Sequence, residues 1–210
     1  MITVVGSLKG GSGKSTVTFN LAVWLALAEA NVQVIDLDPQ ATLRDVVEVR
    51  DEEGYRPKIS VKGKKQLDSD KLQEADEVLI DIGTADIEMM KRAIRLADRI
   101  LVPVPPSQAD IWSTQRFIQF VNAATEGKAP EIIGFINRGD THHAVRETDE
   151  AAAALVALPG MKFIKPRLSQ RTIFRRSFSE GLAVFELNPR GKGSKELNAL
   201  CAKLYPNMLK

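Results

Sequence analysis

Short apolar runs rich in β-branched residues alternate along the chain with longer stretches whose apolar positions recur at helical spacing. The runs Ile2–Gly6, Val32–Leu37, Glu77–Ile82, Arg99–Val104, Glu131–Ile136 and Met161–Ile164 predict strands. Most are apolar on both parities, as strands covered on both faces are. The stretches Ser15–Ala30, Asp86–Ala97, Ala109–Ala124, Ala144–Leu158, Gln170–Gly181 and Ser194–Tyr205 predict helices. This alternation implies an α/β fold, a mainly parallel central sheet flanked by helices and reached by right-handed crossovers. In such a sheet ligands bind at the carboxyl ends of the strands. Arg44–Glu74 breaks the rhythm. It is charged, carries Gly54, Pro57 and Gly63, and predicts a solvated surface excursion with a short strand at Lys58–Val61. Residues 1–210 read as one domain, long enough to bury a core without staples.

The first strand runs into Lys9-Gly10-Gly11-Ser12-Gly13-Lys14-Ser15-Thr16, which opens the first helix. Strand, glycine-rich loop and helix in that order make a phosphate-binding P-loop. Glycines let backbone N–H groups approach phosphate oxygens, and the new helix adds the positive end of its dipole. Lys14 is expected at the β- and γ-phosphates of ATP and the Ser15 hydroxyl on Mg²⁺. The usual pattern has a glycine five residues before Gly13, where this chain has Leu8. A glycine-rich turn that binds nothing is the bland alternative, and the position between strand and helix weighs against it.

Lys-Gly-Gly-Ser-Gly-Lys-Ser-Thr resembles the deviant Walker A box of the ParA/MinD ATPases, in which a nonpolar residue at the Leu8 position is common. The resemblance implies a P-loop NTPase that hydrolyses ATP, with Lys9 contacting phosphate across the interface of an ATP-dependent homodimer. A second lysine also places positive charge where the transition state of phosphoryl transfer is negative.

Asp36 and Asp38, two apart at a strand's end, point the same way. Asp-x-Asp-Pro-Gln is similar to the family's A′ motif, which implies that Asp38 orients the attacking water and helps hold Mg²⁺, with Asp36 in support. A loop-capping role before Pro39 accounts for one of the two. Val78-Leu79-Ile80-Asp81 has the form of a Walker B strand, with Asp81 on Mg²⁺ through water. Relatives continue with a proline-rich turn, and this chain has Ile82-Gly83-Thr84 instead. Ser107 with Asp110 forms a helix-capping box. By the same resemblance Asn137 binds the adenine edge, chemistry an amide supplies, although a turn role suits it nearly as well. Pro166 resembles a second base-contacting position.

Net charge adds little, because +2 is too small to mark a nucleic-acid binder by itself. Local clustering adds more. Arg167, Arg171 and Arg175 are spaced by four, share one face if helical, and are thickened by Lys165 and Arg176, with Glu180 the one acid near them in sequence. Such a stripe suits DNA phosphates without reading sequence, and a solvated helix face is the bland alternative. The strings around Gln170–Phe174 and Glu180–Val184 resemble the end of small partition ATPases, which implies binding of nonspecific nucleoid DNA and hydrolysis stimulated by a ParB-like or other cargo adaptor. Cargo would be plasmid, chromosome or protein assembly. The one cysteine, Cys201, excludes an internal disulfide or a Cys-ligated cluster within one chain. No leader peptide is evident, strand one begins too early for a preceding DNA-binding domain, and the expected home is a cytoplasm, on the nucleoid, without a membrane. A MinD-like membrane regulator needs an amphipathic anchor, whereas Leu197, Leu200, Cys201 and Leu204 read as a core-facing row stopped by Pro206. A metabolic ligase needs a second catalytic cluster, and His142 and His143 lie in a polar stretch more suited to solvent.

Overall fold

The computed structural model describes residues 1–69, 72, 74–142 and 146–208. His143 and the expected helix start at Ala144 lie outside the described residues. The strands are β1 (Ile2–Val5), β2 (Val32–Asp36), β3 (Val61–Lys62), β4 (Glu77–Asp81), β5 (Arg99–Val104), β6 (Glu131–Ile136) and β7 (Lys162–Phe163). The helices are α1 (Lys14–Leu27), α2 (Thr42–Glu52), α3 (Ile87–Leu96), α4 (Gln108–Ala124), α5 (Glu147–Val156), α6 (Thr172–Ser179), α7 (Val184–Leu187) and α8 (Lys192–Leu204). The strands form one parallel sheet in the order β3-β2-β4-β1-β5-β6-β7, as the alternating pattern predicts.

Alternate strand residues feed opposite layers. Val5, Val34, Leu79 and Leu101 pack with Phe19, Leu21, Leu197 and Leu200 from α1 and α8. Val4, Ile35, Ile80 and Ile100 pack with Met90, Phe117 and Leu155 from α3, α4 and α5. Both faces are therefore dry, which is why the strands read as continuous apolar runs. Register then gathers the polar ends. Val5 and Asp36 both pair with Asp81, so the loop after β1 and the two aspartates leave the sheet side by side.

The charged excursion is the main correction to the sequence reading. It holds α2, whose Leu43, Val46, Val47 and Arg50 are buried at helical spacing, and β3 lies at Val61–Lys62 rather than Lys58–Val61. Arg50 is fully buried and makes a two-pronged pair with Glu186, at 2.8 Å on each oxygen, and donates to the carbonyls of Pro57 and Gly181 at 3.0 Å. A buried arginine needs such complete pairing. Gly181 turns the chain here at φ +70°, and a methyl on it would lie 2.7 Å from the Arg50 nitrogen. Gly181→Ala therefore combines backbone strain with a main-chain clash, and chemical denaturation is expected to show a loss of about 2–4 kcal/mol. A variant as stable as the wild type would contradict this packing.

Candidate nucleotide-binding site

Gly13 ends the loop in the left-handed region at φ +88°, and no side chain caps α1. The N–H groups of Lys14, Ser15 and Thr16 begin the helix, where no intrahelical acceptor exists for them. They and the helix dipole face the mouth of a cleft of about 480 Å³ lined by Gly10, Gly11, Lys14, Ser15, Thr16 and Asp38, among others. Ser7 and Ser12 brace the loop from below, Oγ to Oγ at 3.0 Å. Lys14 is buried, with Nζ 3.3 Å from the Lys9 carbonyl and 3.5 Å from Ser7 Oγ. Burial lowers its pKa, against the pull of Asp81 and Asp38. Desolvation and nearby negative charge act in opposite directions on an ammonium.

Asp81 is buried, and neither carboxylate oxygen has a hydrogen-bond partner. Its pKa is pushed up to about 7 by burial first, with Ser15 and Lys14 opposing and Asp36 and Asp38 adding to the rise. Asp36 is also raised, mainly by burial, and its Oδ2 lacks a partner while Oδ1 accepts the Asp38 N–H at 2.9 Å. Asp38 is half-buried, and its Oδ1 caps Gln40 N at 2.9 Å. Three unsatisfied buried carboxylate oxygens, one on Asp36 and two on Asp81, beside a hydroxyl fit a divalent cation, which supplies the missing positive charge and accepts oxygen donors. The residues present therefore fit Mg²⁺.

The far wall of the cleft comes from the end of β6, from residues 168–172 and from Phe174, Arg175 and Phe178 of α6. Asn137 is buried, and its amide donates to the Ser12 carbonyl at 2.7 Å. It sits so close to Gly13 that a methyl there would lie 2.5 Å from Asn137 Nδ2. Arg138, at φ +58°, donates to the Gly11 carbonyl at 2.5 Å and to Gln170 Oε1 at 2.8 Å. Pro166 does not line the cleft, and Leu168, Ser169, Gln170, Arg171 and Thr172 do. Glu196 of α8 anchors that wall, accepting from Ser169 N at 3.0 Å, Ser169 Oγ at 2.9 Å, and Arg171 Nε and Nη2 at 3.0 and 2.7 Å. Burial pushes the Glu196 pKa up, and the Arg171 and Ser169 donors more than reverse it, leaving it lowered.

The arginine stripe is not one helical face, because α6 begins only at Thr172. Arg167 pairs with Asp149 at 2.9 Å and Arg171 with Glu196, so Glu180 is not the only acid near them. Arg175 and Arg176 do ride on α6, Arg176 paired with Glu180 at 2.8 Å, and Lys165 is exposed in the preceding loop. Lys9 is absent from the lining of its own chain's cleft. It points to α4 and pairs with Asp110 at 2.9 Å, half-exposed against an almost buried carboxylate. Ser107 accepts the Asp110 N–H at 3.2 Å as the expected cap and also bonds the carboxylate. Sequence reading missed Arg138, Glu196 and the second role of Asp110. Their partners are distant in sequence, and no local spacing signals them.

Comparison with known proteins agrees with this architecture. The family model for the CobQ/CobB/MinD/ParA nucleotide binding domain matches residues 3–184. The maintenance of carboxysome distribution protein A of Halothiobacillus neapolitanus is 25% identical over 97% of this chain and 95% of its own length. Protein ParA of Rhizobium radiobacter is 28% identical over 86% of this chain and 83% of its own. Among solved structures, an ATP complex of a Cyanothece McdA variant superposes with a TM-score of 0.76 at 18% identity, covering 98% of this chain and 96% of that one. The Pyrococcus furiosus cell division ATPase MinD superposes at 0.75 and 20% identity, covering 98% of each.

Proposed function

Because the chain belongs to the CobQ/CobB/MinD/ParA family, we propose that it is a ParA-type ATPase whose ATP-bound copies pair face to face, hold nonspecific DNA and position a cargo. In this reading Lys14 and the N–H groups of Gly10–Thr16 bind the triphosphate, and Ser15 and Asp81 hold Mg²⁺, which screens phosphate charge. Asp38 helps hold the ion through water and orients the attacking water, while Asn137 meets the base. Family members hydrolyse ATP, and an adaptor bound to the cargo would accelerate that step here and release the complex. The cargo would be a protein assembly or a plasmid or chromosomal complex. Similarity over almost its full length to a protein named for carboxysome distribution supports the first. The match to a protein named ParA supports the second.

The observation that carries this reading is the direction of Lys9. It stands beside the phosphate loop yet turns away from its own cleft to Asp110. A lysine so placed suits a phosphate presented by a second copy, and exchanging Asp110 for that phosphate would couple nucleotide to pairing. A membrane reading has less support, because α8 spends Leu197, Leu200, Cys201 and Leu204 on the core.

Lys165, Arg167, Arg175 and Arg176 remain the proposed DNA contacts, and Arg171 is withdrawn to its role with Glu196. The test is anisotropy of a labelled nonspecific duplex at low and moderate salt with ATP, ADP or no nucleotide. Lys165→Ala/Arg176→Ala, which leaves the cleft-lining Arg175 in place, is expected to weaken ATP-dependent binding about tenfold or more and to flatten its salt dependence. Absence of binding under every nucleotide would refute the DNA reading.

A further inference from the structure

The turn that follows Asp81, Ile82-Gly83-Thr84, packs against Asp38. Gly83 is buried. A methyl built on it would lie 2.9 Å from Asp38 Cα, 3.0 Å from Asp38 Cγ and 3.2 Å from Oδ1. A Cα cannot rotate aside as a flexible side-chain tip can. Gly83 is also not among the residues of positive φ. Its lack of a side chain therefore serves this approach rather than a left-handed backbone. The other restraints around Asp38 are hydrogen bonds. Leu37 N bonds the Asp81 carbonyl at 2.9 Å, Asp38 N bonds Asp36 Oδ1, and Asp38 Oδ1 and its carbonyl receive the N–H groups of Gln40 and Ala41, each at 2.9 Å. These hydrogen bonds hold the backbone around Asp38, and Gly83 packs against its Cα and carboxyl group. The next residue, Thr84, lines the nucleotide cleft together with Asp38.

From this packing we propose that Gly83 is a positioning residue for Asp38, setting how deeply its carboxylate sits over the cleft. The inference rests on the reading of Asp38 as the group that orients water. Added bulk at 83 would push Asp38 out of place and leave the phosphate loop, on the far side of Asp81, intact. A misplacement of about 1 Å costs about a hundredfold in rate when it falls on a catalytic group.

Gly83→Ala, Asp38→Asn and the double variant are compared by single-turnover ATP hydrolysis, nucleotide affinity and melting temperature. Gly83→Ala is expected to slow hydrolysis about ten- to hundredfold, with ATP affinity within about twofold of wild type. Adding it to Asp38→Asn is expected to change the residual rate little, because both act through one carboxylate. Wild-type turnover in Gly83→Ala beside an inactive Asp38→Asn would overturn the role of Gly83 and leave that of Asp38 standing. Full turnover in Asp38→Asn would overturn both. Loss of folding or of ATP affinity in Gly83→Ala, or independent losses in the double variant, would show that the turn acts elsewhere and overturn the assignment.

Discussion

Lys14→Ala is expected to lower ATP hydrolysis by about a hundred- to a thousandfold and to weaken ATP binding as well, the size of effect seen when a preorganised charge is removed from a transition state. The lysine is buried, and its pKa is lowered by that burial, while Asp81 and Asp38 draw it back up. Its ammonium lies 3.3 Å from the Lys9 carbonyl and 3.5 Å from Ser7 Oγ. Those are weak contacts for a desolvated charge, so a phosphate would improve its surroundings. Because the charge is already in place before ATP arrives, little reorganisation is needed. A fluorescent-nucleotide titration with single-turnover hydrolysis checks the prediction. Unchanged binding and rate would mean that the triphosphate does not lie in this loop.

Asp81→Asn is expected to do the opposite to the nucleotide-free protein, raising its melting temperature by several degrees at pH 8 in EDTA. The carboxyl is buried with both oxygens unsatisfied, and its pKa rises from 3.8 to about 7. A carboxyl with a raised pKa in the folded state holds its proton there at pH values where the unfolded chain has released it. Stability from this group is therefore greatest below about pH 4, declines as pH rises through the folded value, and levels off above it. At about 1.4 kcal/mol for each unit, the cost at pH 8 is on the order of 4 kcal/mol. The gap between wild type and Asp81→Asn should shrink as pH falls toward 4. Magnesium with nucleotide should stabilise the wild type more than the variant. Equal melting temperatures at pH 8 would contradict the cost of this buried carboxylate, and an equal response to magnesium would contradict a cation role for it.

Much of the fold and half of the site are legible in the chain because their signals are local. The two-sided apolar strands, the P-loop between β1 and α1, and the acids ending β2 and β4 each declare themselves within a few residues. α2 was hidden for a physical reason. Its buried face, Leu43, Val46, Val47 and Arg50, ends in an arginine, which reads as solvent-facing until Glu186, 136 residues away, is brought against it. The evenly spaced Arg167, Arg171 and Arg175 misled for the converse reason. Spacing by four describes a face only inside a helix, and the helix starts after Arg171.

By itself, the sequence determined the parallel α/β sheet, the glycine-rich loop that opens α1 and the acids at the strand ends, since periodicity and short motifs depend on neighbours along the chain. Only the tertiary structure decided that Lys9 turns to Asp110, that Arg171 is held by Glu196, that Arg138 reaches Gly11 and that Gly83 presses on Asp38. These are contacts between elements far apart in sequence. They are selected by which strands sit adjacent and where each one ends, and no local pattern of residues encodes that.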